Sequence, residues 1–542
     1  MQTKVFIFYL MLVLLFGFSS ELWATKNDSP SLQELNWMLS KSLLSKQTNV
    51  LTTSLDKSTV DEQAYNQAGA GTGAISGRVT KASGGNPIPN VVVTARQLTC
   101  PYSSFAVTSG SDGNYLIADL PCGKYSVRTT IDSIFVDVYW NNRYLWETPD
   151  PVVVSNNTTE NINFSLRLGG KITGTVNLPG SLIVYAFVFA IDTTHQTVYY
   201  DMPIGILGSA SYSIEGLPTG TYLLRIFNLL GYIDVYYNNK SSRVTADPVS
   251  VTEGGTTSSK NFTLSSGGKI EGNVTSAVSG PLGDSSLVLG ILLTDTLEWF
   301  QVAFTNSSGN YTLSGLRSGY WKVFALGDTT NSFEFYDNQD NWSSADSILV
   351  TSPSTVTGKN FTLETGGSIS GQVFDKEGNP LSNTTVAAYE SSLVQLLLQE
   401  GIPLLSQVGI SFRQSTTSGD GSYRITGLRT GDYYLKASSE CGNQWYDHQD
   451  SLQDGDLVHV YMPDNIPDIN FDLPTIFTRG DVTKDGVVDI GDVVSLINYL
   501  YKGGCAPYPI PSGDANCDTV VDVGDIVILI NYLFKGGPAP SC

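Results

Sequence analysis

Two stretches near the C-terminus space their aspartates as a cation would require. The first, "GDVTKDGVVDIGDVVSLINYLYKGG", begins at Gly480, and the second, "GDANCDTVVDVGDIVILINYLFKGG", begins at Gly513. Seventeen of the 25 aligned positions are identical, so the pair is a duplication. In the first copy Asp481, Asp485, Asp489 and Asp492 take positions 1, 5, 9 and 12 of a twelve-residue loop. In the second, Asp514, Asn516, Asp518, Asp522 and Asp525 take positions 1, 3, 5, 9 and 12. Four carboxylates this close repel one another unless a cation sits among them. Ca2+ accepts about six to eight oxygens at roughly 2.3–2.6 Å, and such a loop supplies them from alternate side chains. Thr483 stands at position 3 of the first loop, and the backbone carbonyls of Val487 and Val520 would give the position 7 oxygen. The expected complement is two calcium ions.

Each loop runs straight into one helix, which must hold it in place. Val493, Leu496, Ile497 and Leu500 lie on one helical stripe, matched by Ile526, Leu529, Ile530 and Leu533. Gly503 and Gly536 are good C-terminal stops. Neither unit is large enough to be stable alone, so the two stripes are expected to pack together. An ordinary EF-hand carries a bidentate Glu at position 12 and an entering helix. Here position 12 is Asp, and the preceding "IPDINFDLPTIFTRG" is strand-like.

This loop–helix pair resembles a type I dockerin, the calcium-dependent module that plugs secreted proteins into cohesin domains. The resemblance implies a cohesin-bearing scaffold or surface protein as partner. It also implies that positions 10 and 11 of each loop, Ile490 with Gly491 and Val523 with Gly524, help select that partner. Three departures stand out: Thr483 for the usual Asn or Asp at position 3, Thr519 for the usual Gly at position 6, and the absence of the frequent Ser-Thr pair. The last points away from a standard cellulosomal scaffold. The competing reading is a calcium knot that only staples the C-terminus.

A second repetition fills the middle of the chain. "GAISGRV" starts at Gly73, "GKITGTV" at Gly170, "GKIEGNV" at Gly268 and "GSISGQV" at Gly367, each with strand-like alternation. Later in each unit come "DGNYLIADLPCGKYSV", "SASYSIEGLPTGTYLL", "SGNYTLSGLRSGYWKV" and "DGSYRITGLRTGDYYL". The turn glycines Gly123, Gly220, Gly319 and Gly431 are expected at positive φ between paired strands. Three units close on "LGG", "SGG" or "TGG"; the fourth loses the double glycine, and the array ends there. Successive openings are 97, 98 and 99 residues apart, and a unit of that length is the size of one β-sandwich. From Gly73 to Pro474 the chain resembles tandem carboxypeptidase regulatory-like domains, transthyretin-like sandwiches also grouped with carbohydrate-binding folds. In that family the module is an accessory to a separate zinc domain, so the resemblance implies no peptidase activity.

The expected fold is therefore mainly β: four tandem sandwiches, then a small helical dockerin. The divisions are 1–24 signal peptide, 25–72 leader, 73–168, 169–266, 267–365 and 366–474 sandwiches, and 475–542 dockerin. The apolar run Val5–Phe18 followed by Ala24 reads as a cleaved signal, with an uncleaved anchor as the alternative. In the leader, Leu32, Leu35, Met38, Leu39 and Leu43 recur at helical spacing.

A formal charge of −21 speaks against nucleic acid and anionic membranes as partners. Six cysteines without a CxxC pair fit an exported chain. Cys100 and Cys122 flank a hairpin-like stretch and could pair. Antiparallel helices would bring Cys505 beside Cys517, with Cys517–Cys542 as the alternative. Each sandwich also carries an aromatic–amide cluster: Tyr139 and Trp140, Tyr236 and Tyr237, Tyr336 and Trp342, Trp445 and Tyr446. Such rings can stack on sugars; the plainer reading is a strand end followed by an Asn turn. Three scattered histidines, no P-loop and no GxSxG elbow leave no catalytic constellation. A glycosidase needs only two carboxylates across a cleft, so a polysaccharide-degrading component is the alternative function.

Overall fold

The computed structural model describes residues 73–542 apart from short stretches, chiefly 99–102, 294–299, 395–412, 440–442, 474–476, 484–485 and 541–542. The signal, anchor and leader-helix readings lie outside the described residues.

In the first sandwich, Gly73–Lys81 pairs antiparallel with Asn114–Leu120 and parallel with Phe164–Leu166. The facing sheet orders Ser104–Thr108, Val92–Gln97, Gly123–Thr130 and Val138–Tyr139. Ile75, Val79, Val93, Ala95, Ile117, Val127 and Phe164 alternate inward to form its core. The same antiparallel pair recurs as Gly170–Asn177 with Ser209–Leu217, Gly268–Ser276 with Asn310–Leu316, and Gly367–Asp375 with Ser422–Leu428.

One backbone carbonyl in each sandwich accounts for both sequence motifs. A Cβ on Gly77 would collide with the carbonyl of Ile162, and Gly174, Gly272 and Gly371 meet the carbonyls of Lys260, Lys359 and Ile469 in the same way. The tyrosine of the aromatic strand donates its hydroxyl to that same oxygen. Tyr115 reaches Ile162 at 2.5 Å, Tyr212 reaches Lys260 at 2.5 Å, Tyr311 reaches Lys359 at 2.6 Å and Tyr423 reaches Ile469 at 2.6 Å. Burial pushes all four phenols above their ordinary range, which keeps them protonated donors.

Gly123, Gly319 and Gly431 take φ of 157°, 147° and 157°, while Gly220 lies outside the left-handed range. The strongly left-handed position lies just before them, at Asp119, Gly216, Gly315 and Gly427, with φ of 57°, 70°, 76° and 73°. There the register of the pair shifts in a bulge, a place where glycine avoids the steric cost of a Cβ.

The sandwiches are joined unequally. In the second, Ile183–Asp192 is apolar on both faces: Val184, Ala186 and Val188 face its own core, while Phe187, Phe189 and Ile191 join a cluster continuous through the third and fourth sandwiches. The guanidinium of Arg317 donates to the Asp234 carbonyl of the second sandwich. Arg429 donates to the carbonyl of Phe333 in the third at 3.3 Å. Arg413 adds bonds to the carbonyls of Gly327, Asp328 and Asn331 at 3.0, 2.8 and 2.9 Å. The first sandwich keeps a separate core. It meets the second through stacked rings, Tyr144 on Trp146 at 4.4 Å and Trp146 on His195 at 4.1 Å.

Candidate functional site

The duplicated loops end in helices α1 (Ile490–Lys502) and α2 (Val523–Lys535). Asp489 and Asp522 are their N-caps, and Asp492 and Asp525 complete a capping box in each. Positions 9 and 12 of each loop thus also start the helix. The Asp492 carboxylate accepts the N–H groups of Thr483 and Asp489, both at 2.8 Å. Asp525 accepts those of Asn516 and Asp522 at 3.1 and 2.8 Å. Both carboxylates are fully buried. At position 1, Asp481 accepts from Gly486, while Asp514 accepts from Asp518 and Thr519.

Between the helices Val493, Leu496, Ile526 and Leu529 are buried with Ala515, and Ile497, Leu500, Ile530 and Leu533 pack against them, as the stripes predict. Gly503 and Gly536 cap the C-termini at φ 66° and 70°. On the outer face Ile490, Val494 and Tyr501 are exposed, and Val523, Val527 and Phe534 repeat them one copy later. Of these six, Ile490 and Val523 are the pair that the loop positions point to, and the other four were not legible from the loop pattern. The available signal was an apolar residue off the buried stripe at the same place in both copies. Gly491 and Gly524 donate their N–H groups to the cap carboxylates, each at 2.6 Å.

The aromatic–amide clusters are in part built into the sandwich cores. Tyr139, Tyr236, Trp342 and Trp445 are buried, so these rings have no free face for a sugar. Trp140, Tyr237, Tyr336 and Tyr446 are half-buried. Lys260 covers the ring of Tyr237 at 4.9 Å and Lys359 covers that of Tyr336 at 5.0 Å. The turn residues follow in left-handed pairs, Asn141 with Asn142, Asn238 with Asn239 and Asp337 with Asn338. That is the backbone of a tight hairpin turn, which Asn and Asp tolerate.

The cysteine pairing also differs from expectation. Cys122 is bonded to Cys505, so neither Cys100–Cys122 nor Cys505–Cys517 forms. Spacing along the chain could not place the C-terminal helices against the first sandwich. Cys517 is disulfide-bonded as well, and Cys100, Cys441 and Cys542 lie outside the described residues.

The C-terminal loops, caps and paired helices match the family model "Dockerin type I domain" over residues 479–534. This segment is a type I dockerin domain. Type I dockerin domains bind calcium, and a dockerin implies attachment to a cohesin-bearing partner. Residues 74–167 match the carboxypeptidase regulatory-like domain. Both domain types are non-catalytic. The folded chain is similar to the TIE protein of Bacillus anthracis (10% identity, covering 82% of this chain and 79% of that one, TM-score 0.15). It is also similar to a streptococcal ancillary pilin (10%, 55% and 98%, 0.18) and to the minor pilin GBS52 of Streptococcus agalactiae (14%, 38% and 96%, 0.18). No curated protein matches the chain. Among the described residues no helix is long and apolar enough to cross a membrane.

The donor set of the dockerin suits calcium: carboxylates, an amide and backbone carbonyls, all oxygen, with the position 12 carboxylates buried beside their loops. Asp485 lies outside the described residues, and among the described ones no three acidic, histidine or cysteine side chains converge on one point. Arg479 contacts Asp514, donating to its carbonyl at 2.7 Å and lying 3.3 Å from its carboxylate.

Proposed function

We propose that this chain is an exported, non-catalytic modular protein that attaches through its dockerin to a cohesin, with the sandwiches as spacer or presenting modules. The observation that carries this reading is the duplicated, solvent-facing apolar stripe on the two dockerin helices, Ile490, Val494 and Tyr501 with Val523, Val527 and Phe534. Exposed apolar side chains at matching places in two copies are what a partner surface needs, and packing inside the module does not require them. Two calcium ions would be held, one by Asp481, Thr483, Asp485, Val487, Asp489 and Asp492. The other would be held by Asp514, Asn516, Asp518, Val520, Asp522 and Asp525. The modules are assigned as 73–168, 169–266, 267–365, 366–474 and 475–542. Burial of half the candidate rings weighs against the carbohydrate-binding alternative.

The test is capture of the full chain on cohesins from the same organism, with calcium and with a chelator. Retention in calcium and loss on chelation are expected. Val494→Asp combined with Val527→Asp should weaken retention by about tenfold or more, the cost of truncating central apolar contacts. Calcium-dependent helicity without capture by any cohesin would mean that the module is a structural knot.

A further inference from the structure

The same corner recurs in every sandwich: Leu120-Pro121-Cys122-Gly123, Leu217-Pro218-Thr219-Gly220, Leu316-Arg317-Ser318-Gly319 and Leu428-Arg429-Thr430-Gly431. In the third and fourth sandwiches this corner faces the preceding module. Arg317 grips the carbonyl of Asp234, and Arg429 grips that of Phe333. Both acceptors lie on the segment that leads into the aromatic hairpin, so the two junctions repeat one geometry. In the first sandwich the arginine is Pro121 and no described sandwich precedes it. Its corner meets the dockerin instead. Cys122 is bonded to Cys505 with the Cα atoms 5.8 Å apart. Asn156 bridges the same contact, donating to the Gly503 carbonyl at 2.8 Å, while its Oδ1 lies 3.2 Å from Cys122 Sγ. Gly503 is the C-cap of α1, so the clasp grips the end of that helix. Ile490, Val494 and Tyr501 stay exposed on its flank.

We infer that the dockerin occupies the corner of the first sandwich that later sandwiches use for their predecessors, closing the chain into a covalent ring that a dithiol reductant opens. Both cysteines are only partly buried, so the bond is within reach of a thiolate. The attacking thiolate forms a mixed disulfide with one of the two sulfurs, and the other leaves as a thiolate and takes up a proton. The second thiol of the reductant then displaces the remaining cysteine and closes the reductant's own disulfide. Two electrons and two protons pass to the chain. The dockerin thereby loses its covalent tie to the first sandwich and with it the orientation that the tie fixes.

Peptide mapping of the oxidised full chain without reductant should give a linked pair containing Cys122 and Cys505. Small-angle scattering in calcium should show a larger radius of gyration and maximum dimension after dithiothreitol. Cys122→Ser combined with Cys505→Ser should show the enlarged profile before any reductant is added, which separates this bond from that of Cys517. Cys122 found as a free thiol, or joined to another cysteine, would overturn the ring. A double variant whose scattering superimposes on that of the oxidised wild type would overturn the opening, since the contact would then hold without the bond.

Discussion

Thr519 occupies the turn of the second dockerin loop at φ 72°, where Gly486 takes φ 88° in the first. A β-branched L-residue in that region crowds its Cβ against the backbone, at a cost of roughly 1–2 kcal/mol. Glycine removes that cost but adds freedom to the unfolded chain, which returns about 0.4–1 kcal/mol. Thr519→Gly should therefore stabilise the calcium-loaded dockerin by about 0.5–1 kcal/mol. Thermal unfolding followed at the helical signal reads it directly, and a lowered midpoint would count against the strain.

At the junction of the second and third sandwiches, Asp234 accepts from the N–H and side-chain amide of Asn228, both at 2.9 Å, and from Gln301 at 3.2 Å. Burial pushes its carboxyl up to about 7, against the pull of Arg225 and Arg317. Glu334, at the next junction, is pushed up to about 7 by burial, against Arg429. In the unfolded chain both groups titrate near 4. Between about pH 4 and 7 the folded state thus holds protons that the unfolded state has lost. The stabilisation is complete below pH 4 and disappears as pH rises through 7. The unfolding midpoint of the joined sandwiches should fall between pH 5 and pH 8, and Asp234→Asn should make that fall smaller. An unchanged pH slope in the variant would show that Asp234 does not titrate there. Little of this junction was legible in the sequence. The repeat itself was, because Gly77 and Tyr115 answer to a carbonyl within their own module. The junction depends on which modules touch, and its one trace was the unbroken apolar run Ile183–Ile191, a sign of a strand covered on both faces. The dockerin loops were readable because their ligands are local. The clasp was not, because its two cysteines lie 383 residues apart.

At the scale of the whole molecule, the second to fourth sandwiches share one apolar cluster, while the first has its own and leans on a stack of three rings. Calorimetry should resolve the first sandwich from the joined three, and Trp146→Ala should widen the gap between the transitions by removing the shared stack. A single transition that moves as one would show that the four unfold as a unit. The bond between Cys122 and Cys505 also decides how the molecule carries tension. A pull applied between the dockerin and the first strand of the first sandwich runs from Gly73 to Cys122 and crosses directly to Cys505. The second, third and fourth sandwiches hang in a slack loop outside that path and bear none of the force. Once the bond is reduced, the same pull must pass in series through the ring stack at Trp146 and the arginine junctions at Arg317 and Arg429. The molecule is then a chain of yielding links, whose weakest junction sets the extension.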